Sequence, residues 1–147
     1  MLQLQLNNRQ YKAFIRYAVL TCDSFSLVFK KHDTQVTAYW YQEIYEQIRS
    51  FVIKKQRIGI HPDTGTHFDH SELIYVSCNK QSGSVLLALG NLFDWNGNTS
   101  PSELCFYRKG KMWFSLINHE SLAVIADTTD SDLRFLADTH IYYWHTT

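Results

Sequence analysis

A chain of 147 residues with zero formal net charge, 15% aromatic side chains and three cysteines is long enough for one domain, able to bury about two-thirds of its unfolded surface. Zero net charge gives general nucleic-acid binding no support, and no apolar run approaches the roughly 20 residues that a membrane helix needs. Cys22, Cys78 and Cys105 lie far apart without CxxC spacing, which fits buried thiols in a reducing compartment better than disulfides or a zinc knuckle.

The chain opens without a basic segment and apolar run of the secretory kind, so a cytoplasmic protein is expected. Its neutrality hides an asymmetry: residues 1–60 carry nine Lys/Arg and four Asp/Glu, and residues 61–147 carry five and ten. Either the two halves attract each other across the fold, or the second half builds an acidic face for a basic partner. The first reading is the simpler one.

Leu2, Leu4 and Leu6 alternate with Gln, as in a short strand, and Asn7-Asn8 offers a helix N-cap. Tyr11, Phe14, Ile15, Ala18, Val19 and Cys22 then recur at helical spacing, which predicts a helix over residues 9–22. Phe25, Leu27 and Phe29 predict a strand that ends at the polar 30–33 turn. Trp40, Tyr41, Ile44, Tyr45, Ile48 and Val52 predict a second amphipathic helix over residues 37–54. Lys54, Lys55 and Arg57 would complement its dipole; as a phosphate patch they lack a glycine-rich loop beside them.

Residues 59–72, GIHPDTGTHFDHSE, form the most polar and turn-rich stretch. A strand is expected at 73–78, a turn at 79–84 and a buried strand at 85–89, followed by a long loop over 90–102 that holds Asp94 and Trp95. Within that loop, Asn98-Thr99-Ser100 matches a glycosylation sequon by chance.

Residues 104–126 read as a three-stranded meander and as the organising element. Lys109-Gly110 supplies a tight turn. A two-residue loop would set Arg108 opposite Lys111, Tyr107 opposite Met112, Phe106 opposite Trp113 and Cys105 opposite Phe114. Both faces would then carry apolar surface, as in a sheet covered on both sides. Thr129 and Asp132 form a weak capping box for a short helix ending near Asp138, with Leu133, Leu136 and Phe135 on its buried side. Residues 141–145 would make a last edge strand. The fold expected is α+β: a single globular domain over 1–147 with an antiparallel sheet, two amphipathic helices on one face and a short C-terminal helix.

Two constellations could carry chemistry. His61, Asp63, His67, Asp69, His70 and Glu72 crowd into a dozen residues, and imidazole with carboxylate suits zinc, manganese or iron. The spacing lacks the HExxH pattern that puts two ligands on one helix face, so no native metal is expected. The alternative is a small metal-dependent hydrolase using His61, Asp63, His67, Asp69 and His70. Cys105 with His119 and an acid such as Glu120 or Asp127 could form a thiol nucleophile and base. An apolar hairpin face argues instead for an inert, packed thiol.

Residues 106–136, FYRKGKMWFSLINHESLAVIADTTDSDLRFL, resemble the C-terminal part of small stand-alone immunity proteins of bacterial polymorphic toxin systems. The likeness lies in the tight hairpin with the aromatic second strand Met112-Trp113-Phe114-Ser115, then His119-Glu120, a short strand and an acidic helix start. It implies an α+β protein with no enzyme activity and no cofactor, acting through a surface that fits a toxin. The expected function is therefore non-enzymatic binding of a protein partner, such as a basic toxin domain. Large aromatics and clustered acids nominate Asp94, Trp95, Asp127, Asp130 and Asp132 as partner-binding residues. A third reading is a ligand pocket lined by the many Tyr and Trp residues.

Overall fold

The structure, a computed structural model, describes residues 1–30, 35–90, 95 and 100–146. The order of elements is β1 Leu2–Gln5, α1 Asn8–Thr21, β2 Ser24–Phe29, α2 Gln35–Ile48, β3 Val52–Ile60, β4 His67–Ser77, α3 Lys80–Ala88, β5 Glu103–Arg108, β6 Lys111–Ile117, β7 Leu122–Ile125, α4 Asp130–Asp138 and β8 Tyr142–His145. The eight strands form one antiparallel sheet in the order β3-β4-β2-β5-β6-β7-β1-β8. The α+β architecture expected from the sequence is the one observed, and the meander β5-β6-β7 lies inside the sheet.

Alternation along the strands sorts the two faces. Phe25, Leu27 and Phe29 of β2, Leu104 and Phe106 of β5, and Leu2 and Leu4 of β1 turn to one side. There they join the apolar stripes of the helices: Tyr11, Phe14, Ile15 and Ala18 of α1, Ile44 and Ile48 of α2, Val85 and Leu86 of α3, and Leu136 of α4. On the opposite face a smaller cluster, Val28, Ile58 and Leu73, packs with Phe68 and Tyr75.

Three local readings change. Lys80–Ala88 is helical, where a turn and then a strand were expected: the N-cap Asn79 and Ser82 close a reciprocal capping box at the start of α3. A Cβ on Gly83 would lie 3.0 Å from Val19 Cγ2, so the glycine lets α3 approach α1. Helix α2 ends at Ile48, a single 3-10 turn follows, and Lys54, Lys55 and Arg57 lie on β3. Lys55 sits over the Tyr45 ring and 3.8 Å from Glu72, so these cations serve a sheet edge and not a helix dipole.

The third change is the hairpin register. Lys109 and Gly110 both take positive φ, 51° and 78°, as a primed two-residue turn requires. Arg108 opposes Lys111 and Tyr107 opposes Met112, as read from the sequence. A β-bulge then makes Trp113 the extra residue, so Phe106 opposes Phe114 and Cys105 opposes Ser115. The bulge turns both Trp113 and Phe114 toward α1, with ring centroids 5.8 and 4.7 Å from that of Phe14.

Candidate functional site

β4 outruns β2: their last pair is Phe29 with Glu72, so His67–Ser71 continue beyond it. A second bulge near Ile58 and a positive φ at His70 bend the hairpin. Its tip, residues 61–66, lies against the face opposite the helices, over side chains of β2 and β5. This brings together groups far apart in sequence. His61, only 1% exposed, directs Nε2 to within 3.9 Å of Cys105 Sγ. Tyr107 donates its hydroxyl to Asp63 Oδ2 at 2.7 Å and lies 3.0 Å from Ser26 Oγ. Thr64 Oγ1 donates to Glu103 Oε2 at 3.1 Å.

The protonation of this cluster follows from its bonds. His61 Nδ1 accepts the backbone N–H groups of Asp63 and Thr64, at 3.1 and 3.3 Å. A neutral ring with Nδ1 as acceptor carries its proton on Nε2, facing the sulfur. Burial pushes the His61 pKa below its ordinary value, against the opposing pull of Asp63. Burial, then the carboxylates of Glu103 and Asp63, push the Cys105 thiol well up. A protonated thiol facing an imidazole that already holds its proton there lacks the base that nucleophilic attack requires. Chemically, the cluster pins the hairpin tip to the sheet.

Beside it, where β2 stops and β5 begins, a cleft of about 880 Å³ is lined by Lys30, His67, Asp69, Trp95, Asn118 and Glu120, among others. Trp95 is 3% exposed and belongs to the core, and its carbonyl accepts Asn118 Nδ2 at 2.8 Å. Trp95, nominated from the sequence as a partner-binding residue, is thus corrected: it is packed into the core instead of presented at a surface.

Asp132 is corrected in the same sense. It is 1% exposed and chelated by Arg108, Nη1 to Oδ2 at 2.9 Å and Nη2 to Oδ1 at 3.0 Å. Trp113 Nε1, the Tyr17 hydroxyl and the Thr129 N–H also donate to it, and the Arg108 guanidinium stacks 3.9 Å over the Trp113 ring. Burial alone would raise this carboxyl; the hydrogen bonds from Arg108, Tyr17 and Thr129 outweigh it and hold it at about 2. Of the nominated partner-binding residues, Asp127 and Asp130 are exposed, and Asp94 falls outside the described residues.

The histidine loop does not assemble as a ligand set. His61 and Asp63 are engaged in the cluster above, while His67, Asp69 and His70 are exposed along β4, with His70 Nε2 3.6 Å from Asp69 Oδ1. Among the described residues, no three of His, Cys, Asp and Glu gather around one point. The histidine beside Cys105 is His61, 44 residues away in sequence; the side chain of His119 falls outside the description. No short-range signal could have found that pair, since it depends on the hairpin folding over the sheet. Comparison with protein-family models, with curated proteins and with solved structures finds no match.

Proposed function

We propose that this protein acts by binding another protein in the cytoplasm and performs no chemistry of its own, in the manner of an immunity protein that neutralises a cognate toxin. One observation carries the reading: the assembled His61, Cys105, Asp63 and Tyr107 side chains are committed to holding the hairpin tip, with the thiol protonated and the imidazole's acceptor nitrogen spent on two backbone amides. Asp127 and Asp130 remain at the surface near the start of α4, as acids that would steer a basic partner toward this end of the sheet.

The experiment is rescue of bacterial growth against a toxin encoded beside this gene, with the association rate measured on the purified pair. Cys105→Ala is expected to protect as well as wild type. Asp127→Lys with Asp130→Lys is expected to slow association about tenfold at low salt and much less at high salt. Loss of protection in folded Cys105→Ala would overturn the non-enzymatic reading. So would stoichiometric zinc or manganese in untagged protein that disappears on His67→Ala, which would favour the hydrolase. Wild-type kinetics in the charge-reversed protein would remove these two acids from the interface.

A further inference from the structure

At the other end of the sheet, the helix-free face presents a different chemistry. Leu2 and Leu4 point into the core, so Gln3 and Gln5 of β1 point away from it. β8 pairs with β1 in a register that sets Trp144 opposite Gln3 and Tyr142 opposite Gln5. Tyr142 is 66% exposed and Trp144 half-buried, their ring centroids 5.6 Å apart and their planes inclined by 46°. Together with Ser121 and His140 they line a cleft of about 530 Å³ whose lining contains no Asp, Glu, Lys or Arg.

Some polar groups here are engaged and others are not. Asn7 Oδ1 and the Gln10 amide, which also line the cleft, are engaged in the capping box of α1 and in the bond from Gln10 to the His140 carbonyl. The side chains of Gln3 and Gln5, the Tyr142 hydroxyl and the Trp144 indole N–H have no hydrogen-bond partner among the described residues. Each glutamine offers both a donor and an acceptor, and the two stand one above the other on a strand held on both sides by β7 and β8.

We propose that this cleft binds an uncharged saccharide. A sugar ring has an apolar face of C–H groups, which packs on an aromatic ring, and an edge of hydroxyls that each donate and accept. The pairing of Tyr142 and Trp144 with Gln3 and Gln5 complements both features at once. The volume lies within the range of small-ligand sites, and strand-borne side chains hold their positions better than loop-borne ones. A nucleotide would also stack on the rings, but its phosphates need cations that the lining lacks. The assignment is independent of the protein-binding reading, because it uses different residues on another part of the sheet.

The test is an array of neutral and acidic glycans probed with the full chain, followed by NMR titration with the strongest neutral binder. Saturable shifts at the Trp144 indole N–H and at the Gln3 and Gln5 amides are expected. Tyr142→Ala and Trp144→Ala should each weaken binding at least tenfold while leaving the remaining backbone spectrum in place. Gln5→Glu, a change at an exposed position, should weaken it as well and so covers a failure of Trp144→Ala to fold. The proposal is overturned if no neutral glycan binds above background, if acidic glycans or a proline-rich peptide bind this cleft in preference, or if binding survives Tyr142→Ala and Gln5→Glu unchanged.

Discussion

A single carboxylate shows how far a residue's setting decides its role. Asp132 closes a capping box with Thr129, as its spacing in the sequence suggests, and also receives Arg108, Trp113 and Tyr17. Only the first of these is local; the others arrive from β5, β6 and α1. Removing one partner of a buried, hydrogen-bonded ion pair leaves the other uncompensated, so Asp132→Ala should cost roughly 3–5 kcal/mol in chemical denaturation. The sign of the pH effect follows from the depressed carboxyl. With the folded group at about 2 and its ordinary value at 3.8, the stabilisation is complete above about pH 4 and is lost as pH falls through 2. Acid titration of the variant should lack that part of the slope.

One neutral imidazole helps to hold the tip of the β3–β4 hairpin, beside the Tyr107–Asp63 and Thr64–Glu103 bonds. Burial holds the His61 pKa below 6.5, so the unfolded chain takes up a proton at a pH where the folded chain does not. Stability from this site is full above about 6.5 and declines as pH falls below it. Protonation would also remove the acceptor used by the Asp63 and Thr64 amides, so the tip should loosen before the sheet does. Hydrogen exchange of the tip amides is expected to accelerate, relative to the core strands, between pH 7 and pH 5; in His61→Gln that differential should vanish. Periodicity made α1 and β2 legible, turn chemistry the meander, and the capping box α4, although Leu133, expected on the buried side of α4, is exposed. Where signals overlapped, periodicity failed. The polar residues 79–84 compose a turn as readily as a capped helix, and the short apolar run after them fits either element. Val52 extends the helical spacing of α2 by one step past its end. At the candidate site His61, Asp63 and Cys105 could be singled out but not their grouping, since Ser26, Glu103, Cys105 and Tyr107 come from strands remote in sequence from the 59–72 stretch.

At the scale of the whole molecule, the sheet is closed by its first strand. β1 lies between β7 and β8, and the Thr146 N–H donates to the Met1 carbonyl at 3.1 Å. Closing a loop of more than 100 residues is entropically costly, so these pairings should form after the local hairpins and helices. Leu4→Ala, at a fully buried position of β1, is therefore expected to destabilise by about 2–5 kcal/mol, almost wholly through faster unfolding. Stopped-flow chevrons would show it; a matching fall in the folding rate would mean that β1 docks early. On the ribosome the same arrangement has a cost in time. Leu2 and Leu4 of β1 precede the other strands of the sheet, yet β1 meets β7 only after residue 125 has emerged and β8 only after residue 145. Until β7 emerges the nascent chain carries β1 as a sticky, unpaired strand, the kind of target that chaperones hold, and the sheet can be completed only after translation has passed β8.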